Sequence, residues 1–133
     1  MTSKAVYLGQ LRVASTHLKS GEVIISDAPT DNNGKGQAFS PTDMVANALA
    51  ACMLTIMGIK AIQAGINIEQ TTAQVLKTMA SNPRRISTIE IKLQMPSGIE
   101  SKYRTLLQAA ALNCPVAKSI DPAIEQRVEF DWQ

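Results

Sequence analysis

The sequence predicts an α+β fold in which antiparallel sheets surround one long, buried central helix. Three observations predict it. Short strand-like segments separated by turn residues open the chain, a long apolar helical segment follows, and a strand pair, a second helix and a last strand complete it. The chain has 133 residues, which suits one domain with its own core. We therefore expect a single domain over residues 1–133.

The first part of the chain has the pattern of two strands and a loop. Residues 7–13 and residues 22–27 are the predicted strands, and residues 19–21, with sequence Lys-Ser-Gly, form the turn between them. Residues 30–38 contain one Asp, two Asn and two Gly. These residue types stabilise turns through their side chains or their backbone freedom, so this segment is predicted to be a loop.

The long central helix has recognisable signals at both ends. Ser40 can accept hydrogen bonds from the free N–H groups of a helix, and Pro41 suits the first helical position. Asp43 lies where a capping box places its acid. Gly65 is suited to the left-handed residue that ends a helix. A helix from Ser40–Pro41 to about residue 64 is therefore predicted.

The middle of this helix predicts a second subunit. Residues 44–59 are apolar on nearly every side of a helix, and such a helix is buried on most sides. A chain of this size cannot supply that much cover, so a homodimer is expected. The apolar stretch falls short of the ~20 residues that span a bilayer, and the N-terminus lacks the pattern of a signal peptide. We expect a cytoplasmic protein with no membrane partner.

The second half of the chain alternates strands with helices. Residues 68–79 and 86–95 are predicted strands, and the second of them alternates apolar and polar residues. A helix over residues 99–112 follows, then one helical turn over residues 114–119. Apolar residues that alternate with charged ones predict a closing strand at residues 127–132.

Charge argues against nucleic-acid binding. The formal net charge is +2, from 13 basic and 11 acidic residues spread along the chain. Nucleic-acid-binding proteins concentrate Lys and Arg in a patch or along one helix, and no such block is present. No nucleic-acid partner is predicted.

Cys52 and Cys114 are the only cysteines, and they are 62 positions apart. With one histidine, His17, and no Cys-x-x-Cys spacing, the chain lacks the four donors of a structural zinc site, so no metal and no cofactor are predicted. A structural disulfide is disfavoured in the reducing cytosol. Free cysteines often serve as small buried hydrophobes, and Cys52 fits that description. Cys114 precedes Pro115 at a helical start, where N–H groups stabilise a thiolate.

Two segments resemble signatures of the OsmC/Ohr family. Residues 39–52, FSPTDMVANALAAC, resemble its central helix, in which a proline and acidic residues lead through an Ala-rich run to the reactive cysteine. Residues 111–116, ALNCPV, look like its resolving-cysteine segment. Residues 26–29 and 34–36 look like a small-protein branch of the family, so the resemblance covers residues 20–120.

The resemblance implies an intertwined homodimer with its active site at the subunit interface. It implies that Cys52 reduces an organic hydroperoxide, that Cys114 resolves the sulfenic acid into a disulfide, and that an external dithiol reduces this disulfide. The sequence departs from the family pattern at Thr42, where relatives carry a Glu that orients an arginine. Asp43 lies one residue further, a turn of about 100° around the helix.

Arg12 is the predicted cation beside the Cys52 thiolate, and Asp43 is either its orienting acid or only a helix cap. Other cations remain alternatives: Lys19, Lys35, Arg104 and His17. Besides a thiol-dependent hydroperoxide reductase acting in oxidative-stress defence, two further functions fit the sequence. One is a binding protein for a small lipophilic ligand at the dimer interface, and the other is a redox sensor.

Overall fold

A computed structural model describes all 133 residues and divides into two compact units, residues 1–45 and residues 46–133. The α+β class predicted from the sequence is confirmed by the two three-stranded sheets and the helices that accompany them. That the whole chain acts as one domain stays a prediction.

The first unit contains one antiparallel sheet in the order β1-β2-β3. Its strands are β1 (Ser3–Gly9), β2 (Arg12–His17) and β3 (Val23–Asp27), and a 3₁₀ turn follows at Thr30–Asn32. Both hairpins join neighbouring strands through short turns, which is the simplest antiparallel connection.

The predicted strand over residues 7–13 is wrong, because the chain reverses in its middle. Gln10 and Leu11 have φ angles of 54° and 63°, the left-handed backbone of a two-residue hairpin turn. Tyr7 and Val13, at the two ends of the predicted strand, are instead cross-strand partners. The turn escaped prediction because Gln-Leu lacks the Asn or Gly that usually marks left-handed positions.

The second unit contains a mixed sheet in the order β4-β5-β6. Strands β4 (Thr72–Ala80) and β5 (Arg85–Met95) form the predicted antiparallel hairpin, whereas β6 (Glu125–Trp132) runs parallel to β5. The expectation of antiparallel pairing fails at this last strand. Two helices, α2 (Ser101–Leu112) and α3 (Pro115–Ser119), lie between β5 and β6, and a helical crossover returns the chain in the same direction.

The core of the second unit is formed by one face of the long helix α1 (Pro41–Ala64) and the inner face of β5. The buried helix positions recur every three or four residues, as one face of a helix requires. They are Ala46, Leu49, Ala50, Met53, Met57 and Ala61. In β5 the alternation of buried residues breaks at a β-bulge, where Met79 pairs with Ile86 and Thr78 with Thr88, leaving Ser87 unpaired.

The start of α1 has the capping box that the sequence predicts. The Ser40 Oγ accepts a hydrogen bond from the Asp43 N–H at 3.0 Å, and the Asp43 Oδ2 accepts one from the Ser40 N–H at 2.9 Å. The helix ends at Ala64, and Gly65 follows with a φ of 71°. Both predicted ends of α1 are therefore confirmed.

The rest of α1 leaves apolar side chains uncovered by its own chain. Ile59 is 45% exposed and Ile62 is 81% exposed, although both are large aliphatic residues. By length and composition alone, α1 could cross a membrane. A core helix passes the same test, and the buried face of α1 packs into the core like one. Burying the uncovered side chains would contribute about 25 cal/mol per Å² of apolar surface.

We expect a stable dimer at micromolar concentration because a second copy can bury the uncovered face of α1. Sedimentation equilibrium at about 5 µM should give about twice the 14.3 kDa chain mass. The double substitution Ile59→Glu/Ile62→Glu should weaken association by at least about tenfold, since burying charge is costly. Leu76→Glu, on a strand face that carries ion pairs, is the matched control. A monomer in the unmodified protein would contradict the dimer.

Ser40→Ala removes one half of the capping box. The free energy of unfolding in urea should fall by about 1 kcal/mol, the usual cost of losing a helix N-cap. Thr105→Ala removes a weaker hydroxyl contact, at 3.4 Å, from the exposed face of α2, and its change should stay within about 0.5 kcal/mol. Equal losses in the two variants would contradict a capping role for Ser40.

Candidate thiol site

Cys52 lies in the middle of α1, on a half-buried position beside the core. A cysteine there receives no hydrogen bond from a free helix end, because every N–H around it belongs to the helix. Its thiol is free. Partial exposure gives Cys52 the access to small molecules that a fully buried thiol lacks.

Cys114 occupies a different environment, at the start of α3. It is the N-cap residue, its side chain is completely buried, and Pro115 takes the first helical position. The Ala117 N–H donates a hydrogen bond to the Cys114 Sγ at 3.4 Å. The sequence-based prediction of one helical turn opened by Cys114-Pro115 is confirmed.

The Cys52 thiol lies close enough to Cys114 to influence its pKa. Burial is the largest effect on Cys114 and raises its pKa above the ordinary value of 9.0, and the Cys52 thiol raises the pKa further. The Ala117 N–H opposes both by stabilising the thiolate. The net shift is upward, so Cys114 is a protonated thiol at neutral pH.

A residue that the sequence analysis missed holds α3 against the sheet. Gln126, on β6, donates a hydrogen bond from its side-chain amide to the Ala117 carbonyl at 3.1 Å. Ala117 is also the residue whose N–H contacts Cys114, so the position of the buried thiol depends on β6. The one sequence signal for Gln126 is the alternation in β6, because Gln126 faces the same side of the strand as Val128 and Phe130.

Arg12 and Asp43, the other two predicted site residues, belong to the first unit. Arg12 is the half-buried first residue of β2. Asp43 contributes one carboxylate oxygen to the capping box, which supports the helix-cap alternative for this residue. The predicted roles of both residues beside Cys52 stay predictions.

Two of the alternative cations have contacts of their own. The Arg104 Nε donates to the Ile99 carbonyl at 2.7 Å, and its guanidinium lies 5.5 Å from the centre of the Trp132 ring. His17 contacts the Ser20 hydroxyl at 2.6 Å.

No group of three or more His, Cys, Asp or Glu side chains could hold a metal ion.

The chain combines a two-sheet α+β fold with a half-exposed free thiol on its long helix and a buried free thiol at the start of α3. Residues 34–129 match the family described as OsmC-like protein. The match covers well over half of the chain, and the chain belongs to this family.

Solved structures agree with this assignment. A protein of Psychrobacter arcticus 273-4, provisionally described as an osmotic stress induced and detoxification response protein, is 51% identical to the chain. The similarity covers 98% of this chain and 95% of that one, with a TM-score of 0.94.

Two more distant structures share the fold. An organic hydroperoxide resistance protein of Legionella pneumophila has 17% identity, coverage of 98% and 97%, and a TM-score of 0.77. One of Elizabethkingia anophelis, with thiocyanate bound, has 16% identity, coverage of 100% and 97%, and a TM-score of 0.77. No curated protein sequence matches the chain.

The raised pKa of Cys114 predicts how this thiol titrates. Iodoacetamide labelling, resolved by site with mass spectrometry, should label Cys52 first, and the midpoint for Cys114 should lie above pH 9.0. In Cys52→Ser that midpoint should fall, because a neighbour that raises the pKa is gone.

Above pH 9.0 the unfolded chain loses the Cys114 thiol proton while the folded chain keeps it, so the free energy of unfolding should decrease as pH rises. A Cys114 midpoint below 9.0 would contradict the burial argument.

Proposed function

We propose that the chain is a thiol-dependent reductase of organic hydroperoxides, acting as a homodimer in the cytoplasm in defence against oxidative stress. The observation that carries the proposal is the pair of free thiols, one half-exposed and one buried, of which the first lies close enough to raise the pKa of the second. A pair of unlike thiols suits a cycle in which one is oxidised by the substrate and the other resolves the product.

In the first step Cys52 is the nucleophile. Its thiolate attacks the terminal oxygen of the hydroperoxide, the O–O bond breaks, and the leaving alkoxide takes a proton from solvent to become an alcohol. Cys52 becomes a sulfenic acid. Its partial exposure supports this role, because the peroxide must reach the sulfur.

In the second step the Cys114 thiol condenses with the Cys52 sulfenic acid. An S–S bond forms, the S–OH bond breaks, and the Cys114 proton leaves with the hydroxyl group as water. A protonated, buried Cys114 suits this order of events. It is a poor nucleophile toward peroxide in solution, yet it lies beside the sulfur that it must attack.

The disulfide then needs a dithiol from outside the chain. Thiol–disulfide exchange with an external dithiol returns both cysteines to the thiol form and oxidises the donor. The resemblance to organic hydroperoxide resistance proteins supports an organic hydroperoxide as the substrate. An apolar site at the subunit interface would favour such a substrate over hydrogen peroxide, because burial of its hydrocarbon part is favourable.

Two further residues are proposed on the resemblance. Arg12 is assigned as the cation that stabilises the Cys52 thiolate, since a neighbouring positive charge favours the anionic form. Asp43, whose Oδ2 caps α1 by accepting from the Ser40 N–H, is assigned on the resemblance as an acid that orients this cation.

The two cysteines should differ when each is replaced. Cys52→Ser should lower peroxide reduction by at least about a thousandfold, because it removes the nucleophile. Cys114→Ser should give one oxidation per site and then stop, because no disulfide can form. The measurement is consumption of cumene hydroperoxide with a dithiol reductant, with trapping of the sulfenic acid by dimedone.

Intact-mass analysis of the unmodified protein after one equivalent of cumene hydroperoxide tests the same cycle directly. Loss of two hydrogen atoms and of both alkylatable thiols is the expected result. Two cysteines that stay freely alkylated would contradict the cycle and favour the ligand-binding alternative. A disulfide that forms without catalytic turnover would favour the redox sensor.

A further inference from the structure

A buried carboxylate in the first unit is only half satisfied. Asp27, the last residue of β3, is 1% exposed. Its Oδ2 accepts a hydrogen bond from the Gln37 N–H at 3.1 Å, whereas its Oδ1 is buried and has no partner. A buried carboxylate is costly unless it is paired, and one N–H group does not neutralise its charge.

A buried donor without a partner lies on the neighbouring strand. Arg12 opposes Asp27 directly in the β2–β3 register. Its Nε is also buried and unpartnered. Directly opposed residues point their side chains to the same face of a sheet, with Cβ atoms about 4.5–5.5 Å apart.

The two unpartnered atoms complement each other, since one is an N–H donor with positive charge and the other an acceptor with negative charge. They make no ion pair in this structure. The backbone register already places the two residues opposite one another, and the long Arg12 side chain has the rotamer freedom to bring its Nε toward the Asp27 Oδ1. Charge-assisted hydrogen bonds of this kind are among the strongest in proteins.

The chain around Asp27 holds the carboxylate in place. The Asp27 N–H donates to the Phe39 carbonyl at 3.0 Å, and the next N–H, of Ala28, donates to the Leu11 carbonyl at 3.1 Å. Asp27 is therefore fixed through its backbone and its Oδ2, and its second oxygen is a rigid acceptor. A rigid acceptor limits the positions that a flexible arginine can take.

We propose that Asp27 is a positioning residue that holds the Arg12 guanidinium through a hydrogen bond from Nε–H to Oδ1. The pair itself requires only the first unit, whereas its consequence for catalysis rests on the proposed function, in which Arg12 stabilises the Cys52 thiolate. Asp27 restricts Arg12 to one rotamer and leaves the outer guanidinium nitrogens for the thiolate. It contacts neither thiol nor substrate in this role.

A double-mutant cycle on the full-length protein tests the pair. The variants are Arg12→Ala, Asp27→Asn and their combination. Asn keeps an oxygen for the Gln37 N–H and replaces the second, charged acceptor oxygen with an uncharged NH2 donor. Two quantities are measured for each protein: the free energy of unfolding in urea, and the rate constant of sulfenic-acid formation at Cys52 with cumene hydroperoxide.

We expect Asp27→Asn to slow this oxidation by about tenfold when Arg12 is present and by less than about twofold in the Arg12→Ala background. A residue with a purely structural role would give the same loss in both backgrounds. Asp121→Asn, which replaces an exposed carboxylate that accepts a hydrogen bond from the Ala123 N–H at 2.8 Å, is the matched control and should leave the rate unchanged.

The possible outcomes separate the two proposals. The first outcome is that the Arg12→Ala and Asp27→Asn effects on the free energy of unfolding are coupled while the unmodified protein does not react with peroxide. It would support the Asp27–Arg12 pair and contradict the proposed function. A measurable peroxide reaction with additive effects on the rate would overturn the positioning role. If Asp27→Asn does not fold, NMR of the ¹⁵N-arginine-labelled unmodified protein decides. An Arg12 Nε–H protected from exchange supports the pair, and rapid exchange overturns it.

Discussion

The apolar surface of α1 is the constraint on which the rest of this structure depends. One face of the helix packs on β5 and forms the core of the second unit, yet aliphatic side chains elsewhere on the helix remain exposed. A helix that is apolar nearly all round is stable only where something covers it. This requirement explains why a chain with a well-formed core should still associate with a second copy.

The two thiols differ in environment because of where the chain places them. Cys52 has neither a helix end nor complete burial, and this leaves its sulfur reachable. Cys114 combines complete burial with one N–H contact, and burial has the larger effect, so the thiol form is favoured. The Ala117 N–H keeps the sulfur in one position, and Gln126 keeps Ala117 in position. Two residues of one type thereby acquire different reactivities through desolvation and hydrogen bonding.

Features with local causes were predictable from the sequence. The ends of α1 follow from Ser40, Asp43 and Gly65, whose roles act over a few neighbouring residues. The hairpin at Gln10–Leu11 was not predictable because neither residue type favours a left-handed backbone, so pairing of the flanking strands outweighs the local preference. The parallel direction of β6 depends on how α2 and α3 cross the sheet, which no local pattern states. The resemblance alone marked both cysteines as a pair, whereas the influence of Cys52 on the pKa of Cys114 required the fold.

The buried, half-satisfied carboxylate of Asp27 also could not be predicted from local sequence, since its significance comes from strand register and not from its neighbours in sequence. In the sequence, an acid before Ala28-Pro29 indicates only the end of a strand. Its burial and its position opposite Arg12 appear only when β2 and β3 are paired. A protein seldom retains a buried charge and a buried donor without partners, because each costs stability that an apolar residue would not. That cost is understandable if the Asp27 carboxylate fixes the Arg12 side chain. A free arginine populates many rotamers, and it acts as a cation of defined position only when a partner restricts it to one of them.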